Sequence, residues 1–298
     1  MDIAHPGELA ALGTAVCWTV TGLSFEAAGR RVGSLSVNLI RLVMAFGLLA
    51  LFGLATRGQA LPLDATTHAW VWLGISGLIG FAFGDLCLFR AYVLVGSRIS
   101  MLLMSLVPPI AAVIGWFFLH EQLAPRDWLG MGITVTGIVW VVLERSGRQA
   151  AEVRSQMTKG VLLAFLGAVG QAVGLVLSKL GMGSYDAFAA TQIRIIAGLV
   201  GLVVIFFVIG WWPRVWSALA HRGAMTRISL GAFFGPFLGV SLSLVAIQHT
   251  QTGVAATIMA IVPVLIIAPA AILFRERITL RAVLGASLAV AGVVLLFR

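Results

Sequence analysis

Residues 106–139 read LVPPIAAVIGWFFLHEQLAPRDWLGMGITVTGIV, and residues 261–294 read IVPVLIIAPAAILFRERITLRAVLGASLAVAGVV. The second stretch repeats the first at a constant offset of 155 residues, the difference between positions 108 and 263. The residues that match are Pro108 and Pro263, Glu121 and Glu276, Gly130 and Gly285, and Gly137 and Gly292. Self-similarity at one fixed spacing indicates a duplicated unit. The structure of one copy of this unit therefore determines the fold of the whole chain.

Each copy has the composition of a membrane segment. Of the 298 residues, 60% are hydrophobic and 10% are charged, whereas soluble domains carry roughly 25% charged residues. A helix needs about 20 apolar residues to cross the hydrocarbon, and the pattern predicts ten such spans: 8–27, 35–56, 69–89, 98–119, 126–144, 159–180, 187–210, 226–247, 252–274 and 279–297.

The spans divide into two repeats of five helices, 1–144 and 159–298, which we expect to form one membrane transport domain. A unit with an odd number of spans must insert its two copies in opposite orientations. The predicted fold is an all-α integral membrane protein with ten transmembrane helices in two inverted five-helix repeats. Inverted repeats are typical of secondary transporters.

The net charge of +9 belongs to short loops, which leaves no basic face for nucleic acid. One set of loops holds 14 of the 20 Lys and Arg residues, and the opposite set, with both termini, holds only Arg57, Arg126, Lys179 and Arg298. Positive charge marks the cytoplasmic side. We therefore expect a multi-pass protein of the cell inner (plasma) membrane with both termini on the outer, periplasmic side. The first span lacks a basic leader and a clear cleavage site, so we read it as a retained helix.

The paired Pro-to-Glu motif, the Gly-bearing last helix of each copy and the ten spans resemble the EamA family of the drug/metabolite transporter superfamily. The resemblance covers nearly the whole chain and is closest to ten-helix bacterial exporters of aromatic and other hydrophobic amino acids. It implies a central cavity between the repeats, lined by the first, third, fourth, sixth, eighth and ninth helices. It also implies that the fifth and tenth helices pack at the back.

Small residues and prolines interrupt matching spans of the two repeats. Broken spans in corresponding positions are a sequence pointer to a transport site, although close helix packing uses the same residues. Prolines inside spans kink them, either as hinges or as fixed bends that shape the cavity. The predicted hinge residues are Gly80, Gly84, Pro108, Gly235, Pro236 and Pro263.

Aromatic, hydroxyl and thioether side chains interleave on the spans that the resemblance assigns to the cavity. An apolar pocket with a few polar groups suits a partly hydrophobic substrate. The alternative is that the rings face lipid and the hydroxyls bond their own helices. The predicted substrate-binding residues are Trp18, Thr21, Phe81, Phe83, Met101, Ser105, Gln171, Phe237 and Ser241. Among them we favour Trp18 and Gln171, which lie midway along their spans and 153 residues apart.

Arg41 and Arg194, also 153 residues apart, lie inside the second and seventh spans. A charge at that depth is expensive unless it is paired or hydrated. We expect Arg41 to lie near the cytoplasmic side and Arg194 near the outer side. Glu26 could pair with the first and Asp186 with the second, as alternate gates. The alternative is that both arginines extend to the membrane surface and fix helix depth.

Asp85 lies inside the third span, five residues before Arg90. A local pair with Arg90 and a role in binding a proton or a substrate ammonium are both open. Glu121 and Glu276 are read as structural, because a carboxylate near a helix N-terminus is stabilised there.

No Walker-type phosphate loop and no metal-binding spacing occurs, so we expect no cofactor, no metal and no ATP coupling within the chain. An intramembrane enzyme would need a polar dyad at matched depths, and a channel would need a pore-forming ring; neither pattern appears. The sequence predicts a secondary transporter, not an enzyme, that exports small metabolites by alternating access. Aromatic or hydrophobic amino acids are the favoured substrates, with drugs or other metabolites as the alternative. Lipid is the expected partner, proton coupling stays open, and the expected state is a monomer or weak dimer.

Overall fold

The computed structural model describes residues 6–118, 124–146, 151–249, 255, 258–275 and 278–296. Within these ranges the regular structure is helical throughout, which confirms the all-α prediction. The helices are α1 (Pro6–Val32), α2 (Ser34–Arg57), α3 (Thr67–Gly77), α4 (Asp85–Met104), α5 (Val107–Phe118), α6 (Pro125–Ser146), α7 (Ala151–Met182), α8 (Ala187–Ile209), α9 (Trp212–Ala220), α10 (Arg222–Ala232), α11 (Val240–His249), α12 (Val262–Leu265), α13 (Ile267–Phe274) and α14 (Leu280–Leu296). Glu121 and Glu276 lie outside the described residues.

Six helical runs in the described ranges are long and apolar enough to cross a bilayer, and Val262–Phe274 and Leu280–Leu295 are shorter apolar runs. The longest run, Thr67–Met104, joins the third predicted span to the start of the fourth. Gly96, with φ 82°, divides it, because glycine adopts positive φ without the penalty that a side chain brings. The bend lies between the two predicted spans.

Helix α9 was not predicted; its residues fell in a connection expected between 211 and 225. The segment reads WPRVWSALA and begins with a proline in its first turn, where a missing N–H costs nothing. Val215 and Ala218 are buried, while Trp216 is 67% exposed. A short helix with one apolar face and flanking arginines suits the membrane interface.

The departures from regular α-helix repeat at the same offset as the sequence motif. Among the described residues, π-helical segments occupy Leu78–Gly84 and Phe233–Gly239, which begin 155 residues apart. The predicted hinge residues Gly80 and Gly84 lie in the first, and Gly235 and Pro236 in the second. We name them the first and second π segments. They lie in matching spans of the two repeats, as the glycine pattern predicted.

The fourth and ninth spans are also broken at matching points. Turns at 105–106 and at 260–261 interrupt them, and Pro108 and Pro263 each lie in the first helical turn after the break. Proline fits that position because the first N–H groups of a helix have no intrahelical partner. The predicted prolines therefore mark true interruptions of both spans.

Helices α6 and α14, the fifth and tenth spans, cross each other closely. A Cβ built on Gly137 would lie 2.6 Å from the backbone nitrogen of Ala289, and one on Gly292 would lie 2.4 Å from that of Thr134. Thr134 Oγ1 also donates to the carbonyl of Ala289 at 3.3 Å. These two spans therefore pack closely on each other.

Candidate functional site

Asp85 is the centre of a buried group of polar side chains. It is the first residue of α4, directly after the first π segment, and is 5% exposed. Its Oδ2 accepts a hydrogen bond from Arg41 Nη2 in a salt bridge. Its Oδ1 accepts one from Gln171 Nε2 at 2.8 Å. The carboxylate therefore joins α2 and α4 of the first repeat to α7 of the second.

The guanidinium of Arg41 makes hydrogen bonds and also contacts aromatic rings. Its Nε and Nη2 donate to Asn38 Oδ1 at 2.9 and 2.7 Å. Its guanidinium carbon lies 4.5 Å from the ring centroid of Phe89 and 5.7 Å from that of Phe81. Contacts of this kind with aromatic faces stabilise a cation. Arg41, at 3% exposure, thus has an anionic partner, an amide acceptor and aromatic rings around it.

Gln171 brings the second repeat to this group. Besides Asp85, its amide nitrogen contacts the carbonyl oxygen of Gly80 at 3.2 Å. The approach is possible because α7 and the first π segment cross at glycines: a Cβ on Gly170 would lie 2.7 Å from Gly84 Cα. The side chain of Gln171 thus bonds to groups on other helical segments.

Arg194 lies beside the same carboxylate but has fewer partners. It is 4% exposed, and its Nε has no hydrogen-bond partner in the described part of the chain. Its guanidinium carbon lies 5.0 Å from the ring centroid of Phe81, and it interacts electrostatically with Asp85. We call Asn38, Arg41, Asp85, Gln171 and Arg194 the charge cluster; it holds two cations and one anion.

The charge cluster breaks the symmetry of the repeats. Val240 stands 155 residues after Asp85, directly after the second π segment. The second repeat therefore has no carboxylate at the matching position. Both arginines lie over Phe81 of the first repeat.

The predicted salt bridges are wrong. Glu26 does not pair with Arg41; it accepts from Arg30 Nη2 and from the backbone N–H of Ser97, both at 2.6 Å. Ser97 begins the helical stretch after the bend at Gly96, so Glu26 caps that stretch, where its negative charge is favourable.

Asp186 does not pair with Arg194 either. It is the N-cap of α8 and accepts from the N–H of Ala189 at 2.8 Å. Asp85 pairs with Arg41 and not with Arg90. Both buried arginines contact the ring of Phe81, because the fold brings the second and seventh spans together.

A second group of predicted residues lies where α1 meets α4 and the second π segment. Met101 Cε would lie 3.1 Å from a Cβ on Gly22, and Thr21 packs against Gly235. The hydroxyls of Thr21 and Ser105 are buried and have no partner within the described ranges. Trp18 is half-buried beside Gly239.

Phe237 belongs to an aromatic cluster. Its ring lies 5.4 Å from that of Phe233 and 6.0 Å from that of Phe52, which stacks on Phe188 at 4.3 Å. Ser241 donates to the carbonyl oxygen of Phe237 at 2.6 Å. Its hydroxyl is therefore satisfied within its own helix, which was the alternative reading for hydroxyls in these spans.

Phe83 does not share the environment of Phe81. It is 47% exposed, whereas Phe81 is 2% exposed. Residues two apart on a helix do not share a face, so Phe81 packs among buried residues while Phe83 lies at the surface of its helix.

The sequence analysis missed Asn38, which binds Arg41 and also donates to the carbonyl of Phe81 at 3.5 Å. A signal was present, because Asn38 precedes Arg41 by three residues on a helix and such residues are neighbours. Phe89, whose ring lies against Arg41, had no comparable signal, since aromatic residues are common in apolar spans.

A clamp of polar contacts joins the loops between α2 and α3 and between α7 and α8, one from each repeat. Asp64 forms a salt bridge with Arg57 and accepts from the hydroxyl of Tyr185 at 2.8 Å. Gln248 donates to the carbonyl of Tyr185 at 2.8 Å. The hydrogen bonds from Arg57 and Tyr185 lower the pKa of Asp64 below its usual value. The residues Arg57, Asp64, Tyr185 and Gln248 are called the loop clamp below.

Comparisons with known proteins agree with this architecture. One solved crystal structure of a protein matches with 18% sequence identity and a TM-score of 0.64, over 97% of this chain and 95% of the other. At that identity the match shows the fold. No curated protein matches the chain. The model of the EamA-like transporter family matches twice, over residues 5–143 and 158–298. The two breaks that recur at one offset thus belong to a two-repeat membrane transporter, and the chain belongs to the EamA-like transporter family.

Proposed function

We propose that this protein exports aromatic and other hydrophobic amino acids from the cytoplasm by alternating access between its two repeats. The coarser function, transport of small metabolites across a membrane, follows from the family. The observation that supports the mechanism is the pairing of the π segments, each of which packs against the first helix of the opposite repeat.

The contacts at these crossings are close. Gly239 of the second π segment would place a Cβ 3.1 Å from Cys17 and Trp18 of α1, and Gly84 of the first lies against Gly170 of α7. When one repeat rocks against the other, both crossings change together. Irregular helix is tolerated in a membrane only where protein or a cavity surrounds it. We therefore propose the π segments and the breaks before Pro108 and Pro263 as the places where the spans bend.

The proposed substrate path runs along α1, the second π segment and the end of α4. Trp18, Thr21, Met101 and Ser105 combine apolar surface with unpartnered hydroxyls, which suits a side chain that is mostly hydrophobic. Phe237 lines the path on the other side. Phe83 is not included, because it lies on a different face of its helix from the buried Phe81.

We propose the inner membrane as the location, with both termini on its outer side. The support is the excess of Lys and Arg in one set of loops, which marks the cytoplasmic side. The experiment below, with and without a pH gradient, tests whether transport is coupled to protons.

The test is counterflow of labelled phenylalanine, leucine and tryptophan in liposomes that contain the purified protein, with and without a pH gradient. Saturable uptake is expected, and dependence on the gradient would reveal proton coupling. Trp18→Ala should weaken transport about tenfold if the ring is an anchor. The matched control is Trp140→Ala, since Trp140 is 46% exposed on the back helix α6. Folded protein that moves no amino acid would refute the substrate proposal and leave export of drugs or other metabolites.

A further inference from the structure

The feature that the proposed function does not use is the incomplete coordination of Arg194. The side chain is 4% exposed, and its Nε has no hydrogen-bond partner in the described ranges. A buried cation is costly unless an anion and hydrogen bonds compensate it. The partial compensation here comes from the ring of Phe81 and from Asp85 at longer range.

Asp85 makes no hydrogen bond to Arg194 Nε. One of its oxygens is bound to Arg41 and the other to Gln171. Arg41 in turn has Asn38 and the Phe89 ring around it. The single carboxylate of the charge cluster is therefore paired with Arg41, and the cluster carries one excess positive charge on the side of Arg194.

Glycines of both repeats pack against this guanidinium. A Cβ on Gly80 would lie 3.3 Å from Arg194 Nη2, and one on Gly174 would lie 3.6 Å from it. The guanidinium thus meets backbone from both repeats, with no side chain from either position beside it. Since Val240 replaces the carboxylate in the second repeat, the repeat symmetry offers no second anion.

We propose that Arg194 binds the carboxylate of the transported molecule. A guanidinium offers paired donors that match a carboxylate. The carboxylate of the bound substrate supplies the second negative charge that the cluster lacks. The inference rests on the proposed function and narrows it: the site selects a hydrophobic acid through its carboxylate, and the amino group contributes less because Asp85 is already occupied.

The experiment compares three probes that share one ring: phenylalanine, 3-phenylpropionate, which lacks the amine, and phenethylamine, which lacks the carboxylate. Each is tested for stabilising the purified wild-type protein against heat and for inhibiting phenylalanine counterflow. We expect phenylalanine and 3-phenylpropionate to act and phenethylamine to fail. Arg194→Gln and Arg194→Lys should raise the half-saturating concentration of both acids, by roughly tenfold to a hundredfold for Gln, as loss of a charge-assisted hydrogen bond implies.

The arms separate the two proposals. Stabilisation by 3-phenylpropionate that disappears in Arg194→Gln, without any amino-acid transport, supports the carboxylate site and refutes the proposed substrates. Phenethylamine acting as well as the acids overturns the carboxylate site, even if phenylalanine is transported. Equal stabilisation by sodium chloride at the same concentration also overturns it, because the cluster would then accept any anion. Where a variant does not fold, the wild-type measurements still test whether binding requires the carboxylate, because action by phenethylamine or sodium chloride overturns the proposal.

Discussion

Replacing one partner of the Arg41–Asp85 salt bridge should lower the free energy of unfolding more than replacing both partners together. Asp85→Asn leaves two buried guanidinium groups without a carboxylate, and Arg41→Met leaves the carboxylate with Gln171 and the more distant Arg194. Removal of one partner of a buried pair costs about 3–5 kcal/mol of unfolding free energy, whereas replacement of both by groups of similar volume is often nearly neutral. The double variant should therefore be less destabilised than the sum of the two single variants, by at least about 2 kcal/mol.

The assay is reversible unfolding in mixed detergent micelles, followed by tryptophan fluorescence, for the wild type, both single variants and the double variant. The loop clamp supplies the matched control. Arg57 and Asp64 form a salt bridge with side chains that are 21% and 42% exposed, and exposed pairs contribute about 0–1 kcal/mol. The cycle Arg57→Met with Asp64→Asn should show weak coupling. Equal coupling in the two cycles would refute the reasoning that burial makes the central pair different.

Three further outcomes follow from particular contacts. Gly77→Ala should destabilise the protein by about 1–3 kcal/mol or more in the same unfolding assay, because its Cβ would lie 2.1 Å from a backbone oxygen of α8; Gly47→Ala, with nothing within 4 Å, should be neutral or stabilising. Asp64→Asn should lower the thermal midpoint at neutral pH only. The lowered pKa of Asp64 means that its contribution is present above its ordinary value of 3.8 and is lost as the pH falls through the lower folded-state pKa, so the difference from wild type should vanish in acid. Phe83→Leu should leave the counterflow rate unchanged and should change the free energy of unfolding by no more than about 0.5 kcal/mol. A clear loss of transport would return Phe83 to the substrate path.

The sequence predicted those features that a repeat or a residue type determines by itself. An offset of 155 located both π segments and both proline breaks, because duplicated units bend where their glycines and prolines recur. The buried charges Arg41, Asp85 and Arg194 were identified from their depth in apolar spans. Such residues are rare enough in membranes that position alone marks them.

Partners could not be predicted in the same way. Glu26 was matched with Arg41 by their assigned depth, but the bend at Gly96 exposes the N–H of Ser97, and that N–H takes the carboxylate. Whether Asp85 faces its own helix or α7 depends on the phase of the π segment before it, which no count of residues along an α-helix provides. The different exposure of Phe81 and Phe83 follows from helical spacing, since residues two apart lie on different faces.

The residues of the charge cluster are divided between the two repeats, and we expect the two parts to affect different properties of the protein. Arg41 and Asp85 both belong to the first repeat, so their salt bridge can move as one body and keep the carboxylate compensated in every conformation. Gln171 and Arg194 belong to the second repeat, and their contacts with Gly80, Asp85 and Phe81 cross the boundary. The proposed rocking of the repeats should therefore change the contacts of Gln171 and Arg194 and leave the salt bridge intact. Substitutions of the first pair should act chiefly on unfolding, and substitutions of the second chiefly on the rate and affinity of transport.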